Sequence, residues 1–159
     1  MERMLPRSHA PSLVIRRAQR ADLPAIMELT AQDSLADPPE PALPGEGHFR
    51  AFDSIAAHPD HELAVGTIGD EVVATLQLSF LPGLSHQGAW RGQVEAVRVR
   101  REFRGRGIGA AMMEWVVGRA RERNCRLVQL TTNRSRVDAQ RFYERLGFRP
   151  SHVGMKLPL

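Results

Sequence analysis

Cysteine, lysine and tyrosine each occur once in this 159-residue chain, as Cys125, Lys156 and Tyr143. A lone cysteine excludes a disulfide framework and a cysteine-rich zinc site. Aromatic residues make up only 6% of the sequence, which leaves few platforms for stacking nucleic-acid bases. No apolar run approaches the ~20 residues of a membrane span. Arg3, Pro6, Arg7 and His9 interrupt the start, which therefore lacks the apolar centre of a secretory signal. What is present, 42% hydrophobic and 25% charged residues, suffices for a folded core. The expectation is one soluble, cytoplasmic domain over 1–159, with 1–11 as a flexible N-terminal extension.

The shortage of lysine also shapes the charge. Lys and Arg total 22 against 18 Asp and Glu, a net charge of +4, yet the isoelectric point is about 10.4. Arginine does not titrate below pH ~12, and one lysine, one tyrosine and one cysteine neutralise little of the excess. The isoelectric point thus overstates how basic the surface is.

No internal repeat is present. Leu13 to Arg16 reads as a strand, followed by a helix with Asp22 as cap, Pro24 in its first turn and Ile26 and Leu29 on its apolar face. From Asp33 to Gly47 the chain is rich in Pro and Gly and reads as a loop. Phe49 to Ala57 has helical spacing. Two strand-like runs, His61–Ile68 and Val72–Phe80, flank a Gly69-Asp70 turn, and a third spans Trp90 to Val99. Ile108, Met112, Trp115 and Val116 then recur at helical spacing, Leu127 to Leu130 reads as a strand, and Phe142, Tyr143 and Leu146 stripe a helix that Gly147 stops. A last strand is expected over His152–Leu157. The order predicts an α+β fold, a mixed and mostly antiparallel twisted sheet flanked by about four helices, with one crossover making a parallel pair.

The segment richest in chemistry is Val97-Arg98-Val99 followed by Arg104-Gly105-Arg106-Gly107-Ile108-Gly109, which opens directly into a helix. Alternate glycines let the backbone turn sharply and present successive N–H groups. The helix start adds unpaired amides and the positive end of its dipole. Together they make a cradle for a pyrophosphate, to which Arg104 and Arg106 add charge-assisted contacts. A P-loop is excluded because no Lys-Ser/Thr pair follows the last glycine. A dinucleotide fold is excluded by the glycine spacing, the late position and the absence of an acidic residue ending the next strand.

These residues resemble the GNAT superfamily of acyl-CoA-dependent N-acetyltransferases, in particular a small bacterial branch. Arg104, Gly107 and Gly109 match its phosphate motif, and Ala139, Phe142, Tyr143, Gly147 and Phe148 match a second signature near the C-terminus. The resemblance spans Leu13 to Leu157 and implies splayed central strands, one carrying Val97 and Val99 and the other ending at Thr131. The pantetheine arm of acetyl-CoA, as co-substrate and without a metal, would enter that gap and pair with backbone near Val97, Arg98 and Val99. The amides of Gly105, Arg106, Gly107, Ile108 and Gly109 would hold the pyrophosphate. Asn133 would contact the arm in place of the family asparagine, whose position holds Arg136 here. Dimers are common in the family, so the resemblance allows a homodimer without fixing the oligomeric state.

The resemblance also implies direct acetyl transfer to a primary amine of a small molecule or peptide. Glu95 would take the amine proton from a strand face shared with Val97, a backbone N–H near Val97 would steady the carbonyl oxygen, and Tyr143 would protonate the leaving sulfur. From sequence, Glu95 is equally readable as an exposed strand residue or salt-bridge partner, and Tyr143 as core packing. Cys125 reads as packing, His86 as a solvated loop residue, and His58 and His61 as surface residues without metal spacing. The loop between the first two helices would line the acceptor pocket, where Asp33, Asp37, Glu40 and Glu46 would favour a cationic amine. Two alternatives compete with the enzyme: a nucleic-acid-binding module, suggested by the arginines at 98–106 and 119–126, and a non-catalytic CoA-binding regulatory domain. No nucleic-acid or membrane partner is expected, because the net charge is small and aromatics are few.

Overall fold

The computed structural model describes residues 12–159, so the expected N-terminal extension lies outside the described residues. The chain runs through β1 (Leu13–Arg17), α1 (Leu23–Gln32), α2 (Glu46–Ala57), β2 (His61–Ile68), β3 (Glu71–Leu81), β4 (Trp90–Val99), α3 (Ile108–Glu122), β5 (Cys125–Leu130) and α4 (Val137–Arg145). The strands lie side by side in the order β1-β2-β3-β4-β5. Neighbours are antiparallel except β4 and β5, a parallel pair joined by the α3 crossover. This is the α+β sheet that the element order predicts.

Each face of the sheet buries one helical layer. Ala74, Leu76, Leu78 and Phe80 of β3 and Val94 of β4 pack with Ile108, Met112, Met113 and Val116 of α3. On the opposite face Val65 and Val72 meet Ile26 and Leu29 of α1. Each large apolar side chain so buried contributes about 1.5–3 kcal/mol. One carboxylate lies inside this frame. The Glu62 side chain has no solvent exposure; it accepts from Arg17 Nη2 at 2.9 Å and from Arg119 Nε at 3.0 Å and Nη2 at 2.5 Å. The triad ties β2 to β1 and to α3. Burial pushes the Glu62 carboxyl up, but Arg119 and Arg17 outweigh it and hold the group below its ordinary range.

Three expectations change. Asp22 does not cap α1 through its side chain. A short turn at Arg20–Asp22 precedes the helix, and the carboxylate instead accepts from Arg16 Nη1 at 2.7 Å, Arg16 Nη2 at 3.0 Å and the Gln19 N–H at 2.7 Å. Helix α2 starts at Glu46, a turn earlier than its apolar spacing suggests. The last expected strand, His152–Leu157, does not form: residues 148–159 hold no helix or strand, and Val153, Met155 and Leu157 are exposed. Their alternation has the period of a strand, but no neighbour takes up the backbone hydrogen bonds that a strand requires.

Candidate active site

Strands β4 and β5 stay paired only from Trp90↔Cys125 to Val94↔Leu130. Beyond that point β4 continues to pair with β3, through Glu95↔Gln77, Arg98↔Thr75 and Val99↔Ala74. Its other edge faces an opening. The Arg100 N–H donates to Val73 of β3 at 2.7 Å, so alternation turns the backbone groups of Val97 and Val99 toward that opening. Arginine side chains cover their carbonyls: Val97 O accepts from Arg98 Nη1 at 2.9 Å, and Val99 O from Arg104 Nε at 3.0 Å.

A bulge sets the geometry of this edge. Ala96 has φ 53°, a left-handed conformation that is costly for a residue with a side chain, and the β3–β4 register shifts beside it. The extra residue alters the alternation. Val97 packs into the α3-side core with Val94 and Val99. Glu95 and Arg98 stand opposite Gln77 and Thr75, both of which line the cavity beneath α1 and α2. The expectation that Glu95 and Val97 share a face is therefore corrected: the bulge places Arg98, not Val97, on the face of Glu95. Glu95 is exposed.

The glycine loop has the conformation that its spacing implies. Gly105 and Gly107 have φ of 75° and 79°, which a residue with a Cβ adopts only with strain. Gly109 serves a different purpose: a Cβ there would lie 3.2 Å from Phe142 Cζ. The two signature segments thus meet in space. Helix α3 starts at Ile108, so the amides of Ile108, Gly109 and Ala110 have no intrahelical acceptor and face outward with the positive end of the dipole. The Arg106 guanidinium stacks over Phe103 in a cation–π contact, its carbon 5.1 Å from the ring centre.

Tyr143 of α4 packs edge-on against Phe142 and Phe148, at ring-centre distances of 5.1 and 5.7 Å. The ring thus packs among aromatics, and no hydrogen bond to its hydroxyl is present among the described residues. Burial pushes the phenol above its ordinary value, against the pull of Arg98 and Arg136. Asn133 is engaged locally: its Oδ1 accepts from the Ser135 N–H at 2.9 Å and from Ser135 Oγ at 2.8 Å, forming the turn before α4. Only its amide NH2 is left to meet a ligand. Arg136, at the position of the family asparagine, donates to the Asp33 carbonyl.

A cavity of about 200 Å³ lies between α1, α2 and the sheet, reaching Ala96 at the bulge. Its walls are mainly apolar, including Ile26, Met27 and Phe52, with Thr30, His48 and Gln77 as polar points. Sequence reasoning missed these three, since nothing in their spacing joins a helix, a loop-proximal histidine and a strand. None of the four loop acids lines the cavity. Asp33 pairs with Arg104 and lies 3.7 Å from Arg101, and Glu46 pairs with Arg50 at 3.6 Å. Two of the four acids, Asp33 and Glu46, are thus engaged by arginines.

The remaining candidates are peripheral. Cys125 is half-buried, and burial raises its thiol pKa. His86 is exposed in the turn before β4, and His61 Nδ1 is 2.8 Å from Ser79 Oγ. Among the described residues no group of three or more His, Cys, Asp or Glu converges as a metal site, and no helix is long and apolar enough to cross a membrane. Part of each arginine cluster is neutralised by ion pairs. Arg100 pairs with Glu28 and Glu71, Arg119 with Glu62 and Glu122, and Arg123 with Asp60.

Residues 24–148 match the Acetyltransferase (GNAT) family. The chain is 33% identical over 114 residues to the aminoalkylphosphonate N-acetyltransferase of Salmonella typhimurium, a match covering 69% of this chain and 73% of that one. A solved structure from Bacillus halodurans, described as a transcriptional regulator, shares 42% identity at a TM-score of 0.88, with 92% of this chain and 99% of the other covered. A Trypanosoma brucei acetyltransferase shares 25% identity at a TM-score of 0.76, with the same coverage of 92% and 99%. Neither alternative, nucleic-acid module or silent CoA-binding domain, is favoured by this set. Fold and matched length agree, and the chain belongs to the GNAT family, as an acetyl-CoA-dependent N-acetyltransferase.

Proposed function

We propose that this protein transfers the acetyl group of acetyl-CoA to a primary amine of a small molecule or peptide by direct attack, both substrates being bound together. The observation that carries this reading is the parting of β4 from β5 after Val94 and Leu130, immediately beside a glycine-turned helix start. The opening offers strand-edge hydrogen bonds to a pantetheine arm, and the amides of Ile108, Gly109 and Ala110 offer donors to a diphosphate. The residues present therefore fit acetyl-CoA. Its thioester supplies the activated acetyl group.

The chain's own groups have three tasks. Glu95, exposed on the cavity face of β4, accepts the proton of the amine directly or through water; a free alkyl amine, with pKa ~10, must lose one to attack. The Val97 N–H, turned toward the opening, donates to the carbonyl oxygen as charge develops there. Tyr143, whose hydroxyl makes no hydrogen bond among the described residues and whose pKa is raised, donates its proton to the departing sulfur. Arg104 and Arg106 flank the diphosphate, and the Asn133 amide NH2 reaches the arm. A reaction that consumes acetyl-CoA belongs with the cytoplasmic acetyl-CoA pool.

Thiol release from acetyl-CoA over a panel of primary amines tests the reading. The expected result is amine-dependent release that falls by about 100-fold or more in Glu95→Gln. Release independent of every amine would contradict it.

A further inference from the structure

One polar atom in the described residues is buried without a partner: Nε of Arg98. Its guanidinium stands on the same sheet face as Glu95, at the edge where β4 leaves β5, and Nη1 is held by the Val97 carbonyl at 2.9 Å. Arg98 feels two further cations, Arg136 and Arg104, and one nearby carboxylate, Asp33. That carboxylate is already committed, to Arg104 and Arg101, and Arg136 is anchored on the Asp33 carbonyl. The pocket therefore holds more positive charge than its own acid can balance. A buried donor left unpaired is costly, and a ligand acceptor would recover that cost.

The cofactor is a poor source of that acceptor. The pantetheine arm, which would run along the strand edge, carries no charge, and the diphosphate would be held by the amides of α3. The acetyl acceptor is the remaining ligand, and it approaches from the face that Glu95 and Arg98 share.

Resting on the acetyltransferase reading above, we propose that Arg98 determines acceptor specificity: its Nε edge binds an anionic oxygen, carboxylate or phosphate, on the same small molecule that presents its amine to Glu95. Burial first, and then the neighbouring Arg136, lower the pKa of Arg98. That strain is what an anion between the two guanidiniums would relieve. Charge-assisted hydrogen bonds from an Nε edge are directional and strong, so the preference should be large. The apolar cavity beneath α1 and α2 then receives the remainder of the acceptor.

The test uses matched amines that differ only in the acid: β-alanine against β-alaninamide, and O-phosphoethanolamine against ethanolamine. The expected result is a kcat/KM about 10- to 100-fold higher for the acid-bearing member of at least one pair, expressed in KM. The carboxylate and phosphate pairs separate the two possible acids. In Arg98→Met the ratio within that pair collapses toward one, and Arg98→Lys, which keeps the charge and loses the Nε edge, falls between. The dissociation constant of acetyl-CoA moves less than the acceptor KM in both variants. Preference for the neutral members, turnover of none of the acid-bearing amines, or equal losses for both members of a pair would overturn the assignment. A weakening of acetyl-CoA binding that matches the loss in KM would assign Arg98 to the cofactor instead, and so overturn it too. Failure of the parent protein to bind acetyl-CoA would overturn the acetyltransferase reading itself, a result distinct from all of these.

Discussion

Asp33, the residue that ends α1, forms an ion pair with Arg104 of the glycine loop, 71 positions later in the chain. The pair joins the end of α1 to the segment proposed to face the diphosphate. It also occupies a guanidinium that acetyl-CoA would use. Both side chains are partly exposed, at 23% for Asp33 and 42% for Arg104, so the pair is screened and worth well under the strength of a buried one. Asp33→Asn should therefore strengthen acetyl-CoA binding by about two- to fivefold at low salt, with the gain shrinking as salt rises. Titration calorimetry at two ionic strengths reads this directly.

Gly109 and Phe142 make a steric rather than an electrostatic link. With a Cβ only 3.2 Å from Phe142 Cζ, Gly109→Ala forces α4 or the ring to move. Overpacking of this kind costs about 1–3 kcal/mol. Adding Phe142→Leu should recover part of the loss in a denaturant melt, which a general weakening of the helix start would not do.

Tyr143 should govern the alkaline side of the pH profile. Its raised pKa keeps the phenol protonated, so kcat should hold through pH ~10 and fall only above it. Tyr143→Phe should lower kcat by about 10- to 100-fold and abolish that limb, with acetyl-CoA affinity nearly intact. A tyrosine-dependent limb between pH 7 and 9, seen in stopped-flow thiol release, would contradict the role.

Glu62 carries the clearest stability prediction. Its folded-state pKa lies below the ordinary value, so its contribution is complete above pH ~4.3 and disappears as pH falls through the folded value. Arg119→Met removes the larger partner and leaves the buried Glu62 carboxylate with Arg17 alone, at a cost of about 3–5 kcal/mol. Burial then dominates, the carboxyl pKa rises, and acid unfolding begins at a higher pH. Glu62→Gln in the same background should restore part of the stability, measured by urea unfolding.

Much of this was legible in the sequence because the signals were local. Alternate glycines before a helical stripe located the turn into α3, and period-2 runs located β2, β3 and β4. What escaped depends on contacts between distant positions. The Ala96 bulge carries no glycine and no turn residue, yet it turns Val97 into the core and Arg98 onto the face of Glu95. Asp22 looked like a cap because Asp favours such positions, but Arg16 on the preceding strand claimed its carboxylate. Asp33 reads as a free loop acid from sequence, but Arg101 and Arg104, far along the chain, are its partners. Val153, Met155 and Leu157 show the converse, a strand pattern with no strand to pair with.

The structure of the protein bound to coenzyme A is the most direct measurement. The account predicts the diphosphate on the amides of Ile108, Gly109 and Ala110, with the arm lying against the Val97–Val99 edge between β4 and β5. A diphosphate bound elsewhere, or β5 closed onto β4 beyond Val94 and Leu130 with the arm excluded, would contradict it.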